Sequence, residues 1–261
     1  MDSPIMELRG IRKYFESKQD EELLVLDGID FTLQEKEFIC ILGPTGSGKS
    51  TLLKIMGGIE KPTGGIMKFH DKDLYNGIPR DMLPDFGFMF QDDSLLGWRT
   101  VEKNLLLPLE VFRNKDKEYA KKRVDEMLEL VGLLDFKYVY PHELSGGMRQ
   151  RVSLARSMMH DPHIMLMDQP LGALDAITRK MLSYELLQIS RKTQKTMVMV
   201  TNNIDEALLL SDRVLVLSKK TGKIATVLRN DIPPEARDEQ IKANPRFIEL
   251  REELEAFISS E

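Results

Sequence analysis

The stretch that decides the fold is FICILGPTGSGKS, residues 38–50. Residues 38–42 are wholly apolar and end at a glycine, which is typical of a buried parallel strand. Residues 43–50 match GxxxxGK[ST], and a helix is predicted from Lys49 to about Gly57. In that context the loop N–H groups cradle phosphates, the lysine reaches the terminal phosphates and Ser50 ligates Mg²⁺. We therefore predict a P-loop nucleotide site formed by Gly43, Pro44, Thr45, Gly46, Ser47, Gly48, Lys49, Ser50 and Thr51.

Further short apolar runs alternate with helical patterns along the chain. Residues 164–167 are apolar and end at Asp168, and more strands are predicted at 5–15, 23–33, 86–90, 197–201 and 214–218. Helices are predicted at 176–193 and 205–210, a longer helical region at 101–135, a turn at 58–65 and an amphipathic helix at the C-terminal end. This alternation predicts an α/β fold with a parallel sheet and crossover helices. Asp168, at a strand end, fits the acidic residue that holds magnesium beside a P-loop.

Composition narrows the range of partners. The 261 residues carry a formal net charge of −5 without long runs of one sign, so nucleic-acid binding through a basic face is not indicated. A single cysteine, Cys40, excludes an internal disulfide and fits a reducing compartment. Neither a secretory signal nor an apolar stretch of about 18 residues is visible, so we expect any membrane connection to be peripheral or through a partner.

Residues 144–151, LSGGMRQR, form a second candidate phosphate site. Ser145, Gly146 and Gly147 stand at the start of a predicted amphipathic helix. Glycines there let the backbone approach closely, and the free N–H groups face a phosphate. Because the P-loop is already a complete cradle, two cradles for one nucleotide indicate that a partner subunit uses the second.

The order GPTGSGKST, Gln91, LSGGMRQR, IMLMDQP, LGALD and VTNN resembles the ATP-binding subunits of ABC transporters over nearly the whole chain. LLGWRTV at 95–101, GALDAITR at 172–179 and NPRFIELREEL at 244–254 resemble the importer ATPases for taurine, alkanesulfonates and nitrate. The resemblance implies a P-loop (RecA-like) ATPase core with an N-terminal antiparallel β subdomain and an inserted α-helical signature subdomain at about 92–160. These would form an ATPase domain at 1–230, followed by a C-terminal helical tail at 231–261.

The resemblance also implies cofactors, partners and residue roles. The cofactors would be ATP and Mg²⁺, and the partners a second ATPase subunit and transmembrane permease subunits at the cytoplasmic face of the membrane, with no nucleic acid. Phe15, or alternatively Tyr14, would stack on adenine, and Gln91 would contact Mg²⁺ or the attacking water. Residues 145–147 would contact the partner's ATP, and Asp175 would lie at the dimer seam. Trp98 would line the groove for the transporter's coupling helix or, equally, serve as a packing residue.

Two positions depart from the family pattern, and both concern catalysis. The family has Glu after the magnesium-binding Asp, where this chain has Gln169, and His after the next strand, where this chain has Asn202. A neutral amide is a poor base, and general-base catalysis contributes about 10²–10⁴-fold. We therefore expect ATP binding to survive and hydrolysis at this chain's own site to be very slow.

Three explanations of these departures remain open from the sequence. The chain is a degenerate subunit that pairs with an active ATPase, an engineered Glu-to-Gln trap, or a homodimer that hydrolyses slowly with another group as base. The trap explains Gln169 but leaves Asn202 unexplained. A regulatory ATP-binding subunit without turnover overlaps the first explanation. Soluble ABC proteins of DNA repair or translation are disfavoured, because the chain lacks sustained heptads, Cys clusters and a second P-loop.

Overall fold

The computed structural model describes residues 3–16, 22–74, 77–113 and 116–260, apart from the side chain of residue 260. An antiparallel sheet lies at the N-terminal end, with strands in the order β2-β1-β4-β5. Its strands are β1 (Met6–Glu16), β2 (Glu22–Leu33), β4 (Gly64–Phe69) and β5 (Lys72–Asp73). The middle of the charged connection between the first two strands, residues 17–21, lies outside the described residues.

A second, mostly parallel sheet carries the strand that leads into the P-loop. Its strands are β3 (Phe38–Leu42), β6 (Phe86–Met89), β7 (Ile164–Asp168), β8 (Thr196–Val200), β9 (Arg213–Leu217) and β10 (Ile224–Arg229), in the order β10-β9-β3-β8-β7-β6. Strand β3 pairs in parallel with β8 and β9, and β7 pairs in parallel with β6 and β8. The carboxyl ends of β3, β7 and β8 therefore meet at one edge, which is where open α/β sheets bind ligands.

Both faces of this sheet are covered, which explains its apolar strands. Along β3, Ile39 and Ile41 face a core shared with the antiparallel sheet and α1 (Lys49–Met56). Phe38, Cys40 and Leu42 face a second core, which includes α5 (Ala176–Thr193), α6 (Ile204–Leu210) and α7 (Pro245–Ser260). The predicted C-terminal helix is α7. Its apolar face in the sequence consists of Phe247, Leu250, Leu254 and Phe257, and the first three of these are buried.

Three helices stand between β6 and β7 in the chain: α2 (Val101–Val111), α3 (Lys117–Leu130) and α4 (Gly146–Ser157). They pack on each other and contribute to the second core. Within the described residues no helix is long and apolar enough to cross a membrane. The α/β fold predicted from the sequence is confirmed, whereas the boundaries at 92, 160 and 230 stay a prediction.

Several local predictions were wrong. The helical region at 101–135 is interrupted, because α2 ends at Val111 and Asp116 caps a new helix by accepting a hydrogen bond from the Tyr119 N–H at 2.9 Å. The predicted turn at 58–65 ends earlier, since β4 begins at Gly64. Strands β4, β5 and β10 were not predicted. Strand β10 lies at the sheet edge with most of its residues partly or fully exposed, so burial leaves little apolar signal in its sequence.

Candidate nucleotide site

The P-loop turns directly from β3 into α1. Gly48 caps this helix in a left-handed conformation at φ +90°. A Cβ at that position would lie 2.8 Å from Leu26 Cδ2, so both the backbone angle and the packing against β2 require glycine. The helix N-terminus then follows without a spacer, which directs free N–H groups towards the loop. Gly43, Pro44, Thr45, Gly46, Ser47 and Thr51 lie on the same turn or at its junctions with β3 and α1.

Lys49 and Ser50 are held at the carboxyl edge of the sheet. The Lys49 ammonium donates to the carbonyl oxygens of Gly43 at 2.7 Å and Pro44 at 2.8 Å. Burial lowers the pKa of Lys49, and the Asp168 carboxylate opposes that shift. The Ser50 hydroxyl donates to Asp168 Oδ1 at 2.8 Å, although the two residues are 118 positions apart. The structure thus joins the predicted Mg²⁺ ligands Ser50 and Asp168.

These groups fit a magnesium nucleotide. A hydroxyl oxygen beside a carboxylate oxygen is the hard donor set that Mg²⁺ prefers. Ser47 is 2 % exposed, and its buried hydroxyl has no hydrogen-bond partner among the described residues. A buried hydroxyl without a partner costs free energy, which a phosphate oxygen would recover. Lys49 adds a cation beside the same loop.

Gln169 and Asn202 contact each other. Gln169 follows β7 at φ +45°, where its N–H donates to the Val200 carbonyl at 3.0 Å and its carbonyl accepts from the Gly172 N–H at 3.0 Å. The Asn202 side-chain amide donates to Gln169 Oε1 at 3.2 Å. The two departures from the family pattern are therefore one structural unit, placed directly after Asp168 and directly after the buried Thr201.

A polar cleft of about 460 Å³ opens beside this pair. Glu206 lines it and is buried; it accepts a hydrogen bond from the Thr201 hydroxyl at 2.6 Å, and burial raises its pKa. The C-terminal helix also reaches the cleft, where Arg251 pairs with Asp205 at 3.1 Å. Sequence reasoning missed both features, because Glu206 is an ordinary first-turn acid of a helix and Arg251 is distant in the chain.

Gln91 is exposed, and it begins a segment tied to α4. Among the hydrogen bonds of the described residues, none joins its side chain to Ser50 or Asp168. Its carbonyl accepts from the Gln150 amide at 3.3 Å. Arg149 pairs with Asp93 at 2.9 Å, and Arg156 donates to the Asp93 carbonyl at 2.9 Å. Side chains of α4 thus bind directly to the segment that begins at Gln91.

The loop that carries Trp98 is fixed by a buried side chain that sequence reasoning missed. Asn104 is 0 % exposed; it accepts from the Leu96 N–H at 2.8 Å and donates to the carbonyls of Leu96, Arg99 and Thr100. Trp98 itself is 78 % exposed, which excludes a packing role within this chain. The sequence carried one signal of this role. Asn104 is an uncharged polar residue in the first turn of α2, between apolar residues that the helix buries.

The LSGG residues begin α4 at a close helix contact. Ser145 is exposed and caps the helix by accepting from the Met148 N–H at 3.3 Å. A Cβ on Gly147 would lie 2.8 Å from Thr178 Cγ2, so glycine permits the approach of α4 to α5. Within the part of the chain that the structure describes, no hydrogen bond joins residues 145–147 to the P-loop. The two cradles are separate in this chain.

The remaining predicted residues are placed as follows. Phe15 is 37 % exposed, with the Lys13 ammonium 4.7 Å from its ring centre, whereas Tyr14 is half-buried. The exposed ring favours Phe15 over Tyr14 for stacking, which stays a prediction. Asp175 is exposed and caps α5 by accepting from the N–H groups of Ile177 and Thr178, both at 3.1 Å. A hydrogen bond from the Thr178 side chain lowers the pKa of the Asp175 carboxyl most, and these backbone hydrogen bonds lower it further.

A sequence model of the ABC transporter family matches residues 26–172, more than half of the chain. The chain belongs to the ABC transporter family. It is 41% identical over 246 residues to an aliphatic sulfonates import ATP-binding protein of Bacillus cereus, covering 94% of this chain and 92% of that protein. It is 35% identical to a taurine import ATP-binding protein of a Jannaschia species, covering 95% and 91%.

Solved structures of ABC cassettes are similar as well. One is a dimeric ATP-binding cassette in a post-hydrolysis state with ADP and Pi, at a TM-score of 0.76 and 31% identity. The match covers 87% of this chain and 100% of that cassette. The resemblance stated from the sequence motifs is therefore confirmed. In this ABC ATPase the P-loop carries Lys49 and Ser50, and Ser50 contacts Asp168; their roles towards nucleotide and Mg²⁺ stay a prediction.

Proposed function

We propose that this chain is the ATP-binding subunit of a membrane importer for small organosulfonates or related oxyanions, at the cytoplasmic face of the membrane. ATP and Mg²⁺ are the cofactors of this family, and the relatives named above are import subunits. Two such chains would close head to tail around ATP, each nucleotide lying between one P-loop and the opposite LSGG. The exposed Trp98, on a loop fixed by Asn104, would then contact a permease subunit.

One observation supports the proposal most strongly: part of the nucleotide site matches the family motifs, and the adjacent part departs from them. Lys49, Ser50 and Asp168 form the phosphate and magnesium half, joined by the 2.8 Å hydrogen bond from Ser50 to Asp168. The half that activates water holds two neutral amides, Gln169 and Asn202, in contact at 3.2 Å. Neither amide accepts a proton readily, so this site binds ATP and hydrolyses it very slowly.

A partner with an intact base completes a working transporter. Ser145 and Gly147 stand at the start of α4, and among the described residues no hydrogen bond joins them to this chain's own P-loop, which supports a phosphate contact with the partner's nucleotide. The substitution of both Gln169 and Asn202, which contact each other, favours a degenerate subunit over a single engineered change. We infer that LSGGMRQR is this chain's contribution to hydrolysis in the partner's site.

A mixed-dimer experiment tests this inference. The acceptor variant is this chain carrying Q169E, N202H and S145R, which has a base but lacks a usable LSGG. Alone it should show background ATP turnover, because its dimer has no working signature. Adding the unmodified chain should raise turnover by about 10²-fold, the usual effect of restoring a donor to a developing phosphate charge.

The matched control adds the chain carrying S145R alone. It should not raise turnover, since neither subunit then supplies a usable LSGG. Equal stimulation by both chains, or no stimulation by the unmodified chain although mixed dimers form, would refute the proposed role. ATP binding by each variant is measured beforehand, which separates loss of binding from loss of catalysis.

A further inference from the structure

A second cleft lies away from the nucleotide site, between α4 and α5. Its volume is about 600 Å³, within the range of small-molecule sites. The apolar part of its lining comes from both helices and from the end of α3, and includes Leu130, Val131, Leu154, Leu182, Leu186 and Ile189. No residue of the P-loop lines it. An aliphatic group of matching size would be removed from water there.

Two buried polar atoms in the lining have no protein partner. Arg191 Nε and Gln150 Oε1 are both enclosed and without a hydrogen bond among the described residues. Arg191 forms no ion pair with any residue that the structure describes. Its Nη2 donates a hydrogen bond to the neutral Arg237 carbonyl oxygen at 3.4 Å. Arg191 as a whole is only partly buried, and its guanidinium has no counter-charge among the described residues, so an anion in the cleft would supply one.

The other charges around the cleft are already neutralised or face water. Arg151 pairs with Glu185 at 2.6 Å, and Arg237 pairs with Asp212 at 3.1 Å. The acidic residues that complete the lining are exposed, and they are Glu129, Asp238 and Glu239. The enclosed part of the cleft therefore has a positive centre at Arg191 beside an apolar surface. That combination matches a ligand with an aliphatic chain and one anionic group.

We propose that this cleft binds a small amphipathic anion, with its chain against the apolar residues of α4 and α5 and its charged group on Arg191. Carboxylates and sulfonates share the required chemistry, and they have different sources in a cell. The proposal does not depend on the proposed function, because no residue of the P-loop lines the cleft and the ligand would not contact nucleotide bound there.

The test titrates the full chain, saturated with Mg-ATP, with octanesulfonate and octanoate by calorimetry. One saturable site is expected. Octanol and inorganic sulfate should each bind roughly tenfold or more weakly, since each lacks either the charge or the chain. Stronger binding of octanesulfonate would identify the ligand class as a sulfonate, and stronger binding of octanoate would identify it as a carboxylate. The titration is repeated without nucleotide, and binding that is present without ATP but lost with it would place the anion in the P-loop and overturn the proposal.

Variants locate the site. R191Q should weaken octanesulfonate binding roughly tenfold or more, whereas K180Q, on an exposed cation of the same helix, should leave it unchanged. Methyl NMR gives an independent readout in the unmodified chain, because Met89 and Met167 line the cleft and the exposed Met181 does not. Equal affinity in R191Q and the parent, or shifts at Met181 without shifts at Met89 and Met167, would overturn the assignment.

Discussion

Gln169→Glu should convert this site from a slow ATPase into a faster one. Glutamate has nearly the shape of glutamine, and the backbone at φ +45° is fixed by two hydrogen bonds of 3.0 Å that the substitution leaves in place. The new carboxylate would therefore occupy the same position, accepting from the Asn202 amide that now lies 3.2 Å from Gln169 Oε1. That hydrogen bond favours the charged form and slightly reduces its strength as a base.

The expected gain follows from these contacts. A positioned base contributes about 10²–10⁴-fold, or about 2.7–5.5 kcal/mol of activation free energy. Since Asn202 holds the carboxylate in its charged form and cannot itself carry a proton, the lower end applies. Gln169→Glu alone should raise phosphate release about 10²-fold, and adding Asn202→His should raise it further.

The assay is single-turnover phosphate release with Mg-ATP, after nucleotide binding and dimer formation have been measured for each variant. Gln169→Ala is the control for side-chain volume without a base, and Lys49→Ala in the Gln169→Glu background gives the rate without a phosphate contact. The missing base at position 169 is not the cause of slow hydrolysis if the Gln169→Glu variant binds ATP and forms dimers but still releases phosphate at the parent rate. The same holds if adding Asn202→His leaves that rate unchanged.

Three further predictions concern binding-site support and stability. Gly147→Ala should lower the free energy of unfolding by about 1–3 kcal/mol in urea melts because its methyl meets α5 at 2.8 Å, whereas Gly146→Ala, with its nearest neighbour at 3.8 Å, should not. Asn104→Ala removes the hydrogen bonds of a buried side chain to the partly buried Trp98 loop and should cost about 1–3 kcal/mol in the same assay; wild-type stability would contradict this. Burial lowers the pKa of His160, so the unfolded chain binds this proton more readily, and stability should fall as pH drops through about 6.5. The His160→Asn variant should show a shallower decline, and an equal decline would exclude His160 as its source.

Much of the nucleotide site could be predicted from the sequence because its chemistry is local. The P-loop places Lys49 and Ser50 one after the other on a turn whose conformation glycines permit, and the apolar runs before Gly43 and Asp168 identify two buried strands. Parallel pairing then brings the ends of these strands together, so even the contact between Ser50 and Asp168 follows from pattern and topology.

Other features could not be predicted in this way. The interruption of the helical region at 101–135 depends on a local cap, in which Asp116 accepts from the Tyr119 N–H. Strand β10 exists because an exposed segment pairs with β9, and Arg251 approaches Asp205 from a distant part of the chain. The contacts of Asn104 with residues 96–100 are local, but they depend on the burial of its side chain, which packing sets.

The sequence by itself determined the family, and it predicted the phosphate and magnesium residues and the departures at Gln169 and Asn202 from the family's Glu and His, because each is a matter of residue type at fixed spacing. Only the tertiary structure decided that Gln169 and Asn202 contact each other, that Gly147 is required by Thr178, and that Arg191 lines a partly apolar cleft without an ion pair among the described residues. These depend on which surfaces the packing of α4, α5 and the sheet brings within a few ångströms. Burial and partner choice are set by that packing, and local sequence does not encode them.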